Sequence, residues 1–190
     1  MSVNQYHFVT EWRVAATCKE VYDIIADAES LPRWWPSVYL DVKQTSIGDE
    51  QSIGKRVYLY TKGWLPYTLQ WHFVVTENVS AETIAIRAFG DFEGRGIWIF
   101  IPDGNYCKII FDWKLEATKP LLRRMSWFLK PVFSMNHKWA MKKGLESLQL
   151  ELLRKRATTA EELSRIPGPP KPTFPHNVTN NKKLKLNLAG

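Results

Sequence analysis

The 190-residue sequence has little of what metal or disulfide chemistry requires. Its two cysteines, Cys18 and Cys107, form neither a CxxC pair nor a Cys/His cluster. That argues against a disulfide framework or a zinc site and makes a reducing compartment, the cytoplasm, the expected location. The four histidines, His7, His72, His137 and His176, show no ligand spacing, so no metal and no cofactor are expected. No run approaches the ~18 apolar residues of a membrane span. The opening MSVNQYHFVTEW has no charged stretch followed by an apolar one, so no secretory leader is expected. Glycines cluster once, in the segment from Gly90 to Gly96, but that segment lies between strand-like runs and opens no helix, the wrong setting for a phosphate loop.

The chain is rich in tryptophan, with nine, and its charge is unevenly placed. Residues 1–118 carry 11 Lys/Arg against 15 Asp/Glu, a net −4, and residues 119–190 carry 15 against 4, a net +11. A basic C-terminal part suits either an anionic partner or a solvated helix face with a basic tail. No nucleic-acid reading motif accompanies the charge, so nucleic acid is not an expected partner.

Periodicity gives the organisation. From Tyr6 to Ala15, Tyr6, Phe8, Trp12 and Val14 alternate with His7, Glu11 and Arg13, the pattern of a half-buried strand. Thr17 with Glu20 reads as a capping box opening a helix to about Ala28, with Val21, Ile24 and Ile25 on one face. Pro32 and Pro36 bracket a short turn or single-turn helix that carries Trp34 and Trp35. Six strand-like runs follow between Val38 and Ala117, punctuated by turn residues such as Asp103-Gly104-Asn105. In two of them the faces separate cleanly: Tyr67, Leu69, Trp71, Phe73 and Val75 oppose Gln70 and His72, and Cys107, Ile109, Phe111, Trp113 and Leu115 oppose Asp112 and Glu116. Lys119 to Arg156 is helical in pattern. Met141, Leu145, Leu148 and Leu152 form an apolar stripe, and Pro131 is expected to kink or break the helix. The expected fold is therefore α+β: a curved seven-stranded antiparallel sheet around a long C-terminal helix, with two short helices after the first strand. Residues 1–160 form this domain. Residues 161–190, Pro-rich and then basic, read as a disordered tail.

Three stretches carry a family resemblance: Glu11 to Ile25 with Leu31-Pro-Arg-Trp-Trp-Pro36, Gly90 to Trp98 with Phe111 to Leu115, and Asn136 to Gly144 with Leu148. Over residues 5–156 the chain resembles the START/Bet v 1-like (SRPBCC) superfamily, in particular its bacterial polyketide cyclase/dehydrase-like branch. The resemblance implies a helix-grip fold and an internal cavity for an apolar small molecule such as a lipid, isoprenoid or polyketide. It does not by itself imply catalysis.

Expected lining or core residues are Trp12, Trp34, Trp35, Tyr58, Tyr60, Trp71, Phe73, Trp98, Phe111, Trp113 and Trp139, with Trp34 or Trp35 as a gate. Acid–base candidates are few. Glu93 and Arg95 share a parity whose facing is open, so they are either a buried polar pair that orients a ligand or a surface salt bridge; Arg87 is similarly open. His137 is either a base or a residue bonded within the helix–sheet seam. Arg123, Arg124, Trp127, Phe128 and Lys130 have the make-up of an interfacial amphipathic segment, which suggests peripheral contact with an anionic membrane. Three functions fit: a carrier of a lipophilic molecule, a polyketide or aromatic cyclase/dehydratase, or an interaction module using the basic helix and tail. Oligomeric state cannot be read from the sequence.

Overall fold

The structure is a computed structural model that describes residues 5–117 and 120–173, with side chains described for residues 5–116 and 131–173. Strand β1 (Gln5–Val14) leads into α1 (Cys18–Ala26), a single 3-10 turn (Ala28–Ser30) and α2 (Leu31–Trp34). Six strands follow: β2 (Tyr39–Ser46), β3 (Arg56–Lys62), β4 (Thr68–Val79), β5 (Thr83–Gly90), β6 (Phe92–Asp103) and β7 (Tyr106–Ala117). The long helix α3 (Pro120–Arg156) and the short α4 (Ala160–Arg165) complete the described elements. The seven strands make one antiparallel sheet in the order β1-β7-β6-β5-β4-β3-β2, so β1 and β2 are its two edges and α1 and α2 bridge them. This is the helix-grip α+β fold.

Local chemistry explains the entry to α1. The Thr17 hydroxyl accepts from the Glu20 amide at 3.2 Å, and the Glu20 carboxylate accepts from the Thr17 amide at 2.8 Å. Both reciprocal bonds satisfy donors a helix start leaves open. The same carboxylate receives Arg156 Nε at 2.8 Å, which ties the end of α3 to the start of α1. These bonds, Arg156 first, hold Glu20 down at a pKa of about 2.

The concave face of the sheet is aromatic. Trp98 stacks on Phe111 at 4.0 Å, and Phe111 on Trp113 at 5.5 Å. Room for them comes from Gly96 on the neighbouring strand, where a Cβ would stand 2.7 Å from the Trp113 ring. On α3, Met141, Leu148 and Leu152 are buried and Leu145 is partly buried, in agreement with the apolar stripe. Gly144 lies on the same stretch because Trp35 occupies the space: a Cβ there would come 2.3 Å from Cζ2 of that indole.

Two expectations change, and one pairing was not foreseen. Pro131 does not break α3, which runs through it as one helix of 37 residues. A proline removes one ladder bond, and the helix continues on the strength of the turns on either side. The cysteines, distant in sequence, face each other as buried free thiols with their sulfurs 2.8 Å apart, because β1 and β7 pair Val14 with Cys107 and α1 begins at Cys18. Burial, with Cys18 as a second influence, pushes the Cys107 thiol up to about 12. At the C-terminus, the stretch expected to be structureless begins as helix α4, capped by Thr159 and Glu162. Thr173, the last described residue, docks on the β3–β4 connection: its carbonyl accepts from Lys62 Nζ, and its hydroxyl donates to the carbonyls of Gly63 and Trp64. The basic end, residues 174–190, lies outside the described residues.

Candidate functional site

Near its centre the grip is not filled. Between α3 and the sheet lies a cavity of ≈ 190 Å³. Its floor is the inward face of β4, β6 and β7 (Leu69, Trp71, Phe92, Phe111, Trp113) and its roof is one face of α3 (Phe133, Asn136, His137, Ala140, Met141). Trp35, Val38 and Tyr39 close one side, and Thr61, Lys62, Gly63 and Tyr67 form part of the rim. A smaller chamber of ≈ 80 Å³ lies deeper, against α1 and α2, and shares Trp35, Tyr39, Trp71 and Phe111 with the first. Those four rings form the partition.

The rim is built by specific bonds. Asn136 Oδ1 accepts from the amides of Trp64 (2.9 Å) and Leu65 (3.3 Å), so α3 holds the β3–β4 connection in place. Gly63 leaves room for that side chain: a Cβ there would stand 2.0 Å from the oxygen, so Asn136 would have to shift. Trp71 Nε1 donates to the Thr61 hydroxyl at 3.0 Å, which satisfies the one polar atom of the floor's largest ring.

Few titratable groups line this space, and those that do are neutral or spoken for. His137 stacks on Phe8 with ring centres 4.3 Å apart, and its Nε2 has no partner among the described residues. Burial lowers its pKa to about 4, so the imidazole is neutral at physiological pH. Burial raises the Tyr39 phenol well above its ordinary range, and raises Tyr67 to about 12 with a smaller influence from Tyr6. Both phenols therefore stay protonated. Tyr39 is partly buried and lines both chambers. Lys62 is the sole cation in the described lining; burial lowers its pKa, and its ammonium is bonded to Thr173. No carboxylate lines the cavity among the described residues, and no cluster of metal-binding groups occurs among them.

Of the residues expected from the sequence, Trp35, Trp71, Phe111 and Trp113 line the larger cavity, and Trp34, Phe73 and Trp98 line the deeper chamber. Trp12 packs behind them, against Trp35 and Trp98. Tyr58 and Tyr60 alternate to the opposite side of β3, where Tyr58 meets His72, and half-buried Trp139 lies off the lining of α3. Trp34 and Trp35 are both buried; Trp34 lines the deeper chamber alone and Trp35 lines both. The register settles the facing of β6: Phe92, Trp98 and Phe100 point inward, while Glu93 and Arg95 are exposed on the outer face beside a groove that also contains Arg87, Lys114 and Glu116. Arg95 stands between Arg87 and Lys114, and Glu93 opposite Glu116, so neither reaches the cavity. The side chains of Arg123, Arg124, Trp127, Phe128 and Lys130 lie outside those described.

The sequence reading did not name Tyr39, Tyr67, Phe133 or Asn136. Tyr67 shares the parity of Leu69 and Trp71 and was legible on that ground. Tyr39 sits where β2 begins irregularly, with a register shift between it and Asp41, so alternation gave no signal.

Known proteins can now be set beside this geometry. Similar solved folds include a protein from Thermus thermophilus (16% identity, TM-score 0.64, covering 80% of this chain and 100% of that one). A second is the Zhui aromatase/cyclase from Streptomyces sp. R1128 (14% identity, TM-score 0.64, 82% and 98%). A third is a START superfamily protein from Mycobacterium smegmatis (17% identity, TM-score 0.58, 75% and 98%). At these identities the likeness shows the fold alone. A comparison with the curated proteins returns no match. The family model described as polyketide cyclase / dehydrase and lipid transport matches residues 5–152, nearly the whole grip, and the chain belongs to that family.

Proposed function

We propose that this chain binds a lipophilic small molecule in the cavity between α3 and the sheet. One observation carries the reading: the space is walled by aromatic rings and its described lining holds few polar groups, with Lys62 as its one cation and no carboxylate. An apolar pocket with a few placed polar groups is the form a binding site for a small organic molecule takes. Native mass spectrometry of the purified protein, with solvent extraction of any adduct, tests it. The wild type should carry or take up a hydrophobic molecule one-to-one. Ala140→Phe, which projects a ring into the space, should fold with the same circular dichroism and lose that uptake. Equal uptake by both proteins would place the ligand elsewhere.

A cyclase or dehydratase is the second reading, favoured by the neutral imidazole of His137 in the same lining as the protonated phenols of Tyr39 and Tyr67. Such a set holds a proton acceptor and proton donors in one apolar space. Incubation with a poly-β-keto thioester should then give a cyclised or dehydrated product that His137→Phe does not form; absence of product with the wild type would leave binding alone. Exchange of the ligand at an anionic membrane rests on the composition of the segment from Arg123 to Lys130. Salt-sensitive co-sedimentation with anionic vesicles would support it, and equal behaviour with neutral vesicles would reject it.

A further inference from the structure

The two cysteines hold chemistry that the cavity does not use. Neither Cys18 nor Cys107 lines either chamber. Cys18 is the first residue of α1 and Cys107 lies at the start of β7, 89 residues away in sequence. Their sulfurs nevertheless stand 2.8 Å apart, one thiol donating to the other. A disulfide bond measures about 2.05 Å, so a shift of less than about an ångström separates this contact from a bond.

Local structure holds the thiols together. β1 pairs Val14 directly with Cys107, and the Ala16 amide donates back to the Val14 carbonyl at 2.9 Å. That turn brings the start of α1 beside the start of β7. Arg156 fastens it from the far end of α3, donating to the Ala15 carbonyl at 2.9 Å and to the Glu20 carboxylate at 2.8 Å, one on each side of Cys18 in sequence. With the Thr17–Glu20 capping bonds, these contacts fix where Cys18 stands.

The two thiols are not equivalent. Cys107 is 0% exposed, and its burial keeps it protonated. Cys18 is 9% exposed and forms the outer member of the pair. A thiol attacks as its thiolate, so the outer sulfur is the one that a small oxidant meets and oxidises first.

We infer that Cys18 and Cys107 are a peroxide-reactive pair that closes into one intramolecular disulfide, with Cys18 as the thiol oxidised first and Cys107 as the thiol that resolves it. The Cys18 sulfur gives up its proton and attacks one peroxide oxygen. An S–O bond forms, the O–O bond breaks, and the departing hydroxide takes up a proton and leaves as water. The Cys107 sulfur then attacks the sulfenic sulfur. The S–S bond forms, the S–O bond breaks, and the hydroxyl leaves with the Cys107 proton as a second water. The two sulfurs lose two electrons in all, and the peroxide gains them. A dithiol reductant reverses the bond. Once formed, the cross-link ties the start of α1 to β7 and closes a long loop, which restricts the unfolded chain and stabilises the fold.

The test uses the full chain, reduced, freed of reductant and exposed to a small excess of hydrogen peroxide. It is then denatured in N-ethylmaleimide for intact-mass measurement. Before peroxide the chain should take two maleimide groups. Afterwards it should take none, run as a monomer without reductant, and weigh less by two hydrogens, about 2 Da. Dithiothreitol should restore both adducts. The cross-linked protein should melt at least about 5 °C higher than the reduced one. In Cys107→Ala, dimedone should trap a sulfenic acid on Cys18, and in Cys18→Ala the Cys107 thiol should still accept maleimide after the same exposure. Where either variant loses the wild-type circular dichroism, brief peroxide treatment of the wild type with dimedone present, followed by peptide mapping, assigns the first-oxidised sulfur instead. Retention of two maleimide sites by the wild type, or cross-linking between chains rather than within one, would overturn the pair. Dimedone on Cys107 in place of Cys18 would overturn the assigned order, and an unchanged melting temperature would overturn the stabilising role. Because neither thiol borders the cavity, none of these results bears on the proposed binding function.

Discussion

Helix α3 meets one continuous sheet in two different ways. From Met141 to Leu152 it is pressed into the domain: Leu148 and Ser147 are fully buried, and Gly144 lets the Trp35 indole reach the helix backbone. From Phe133 to Ala140 the same helix is held off the sheet, its residues are only partly buried, and the cavity lies beneath them. The difference follows from what fixes each half. The C-terminal half is tied by charge as well as packing, through Arg33 to Glu151 in α3 (2.7 and 2.8 Å) and Arg156 to Glu20. The other half is held by Asn136 on a surface connection and rests on large rings that prop it up. One end of the helix is therefore packed for stability and the other borders the cavity proposed as the binding site.

The largest expected effect comes from breaking the tight half. Arg33 is half exposed, but Glu151 is 1% exposed, so Arg33→Ala strands a carboxylate in the interior. The cost should be about 3–5 kcal/mol, a fall in melting temperature of roughly 10 °C or more. Arg33→Met with Glu151→Leu should recover most of it. Failure of that double variant to recover would show that the ion pair is not the source. Next, Leu148→Ala should cost about 3 kcal/mol in chemical denaturation, while Phe133→Ala, whose ring already borders empty space, should cost about 1 kcal/mol or less. Equal losses would erase the distinction between the two halves.

A third effect is pH-dependent and belongs to the cavity half. The folded-state pKa of His137, about 4, lies below the unfolded value of about 6.5, so the unfolded chain binds the proton first. Its contribution is present above pH 6.5 and is lost as pH falls from about 6.5 towards 4, by an amount on the order of 2 kcal/mol. His137→Phe should flatten denaturation midpoints across that window. The smallest effect belongs to the other end. Glu20, with a folded pKa of about 2, stabilises above its unfolded pKa of about 4.5, and that contribution disappears between about 4.5 and 2. Glu20→Gln should remove the slope there. The carboxylate is well exposed, so the change should be modest.

Most of the scaffold was legible in the sequence for a simple reason. Where both faces of a strand carry side chains, alternation reports the inward face, as it did for Trp71 and Phe73 on β4 and for Phe111 and Trp113 on β7. The reading stalled on β6 because two of its inward positions are Gly94 and Gly96, which carry no hydrophobic signal. The uncertainty over Glu93 and Arg95 was the direct result. The glycines are there because Trp113, Phe111 and Leu115 fill their space, a fact held by the neighbouring strand. Most of the flagged aromatic residues are buried, with Trp139 only partly so, but composition cannot separate a ring that walls a cavity from one that fills a core. Trp98 and Trp12 touch at 5.5 Å, yet only Trp98 borders a chamber. Pairings that depend on register across the sheet, such as Cys18 beside Cys107, could not be read from sequence at all.

The strand order has a consequence for how the molecule is made. Every neighbouring pair from β2 to β7 is joined in sequence, so these strands can add one after another as a meander. β1 is the exception, because its partner is β7, with Gln5 opposite Glu116. During synthesis the first strand to leave the ribosome must wait for the last, with Tyr6, Phe8 and Trp12 on a strand that has no partner. Long-range pairing of this kind slows folding, and an unpaired apolar strand is where association with other chains begins. Until β1 closes onto β7, this apolar strand stays open to association with other chains.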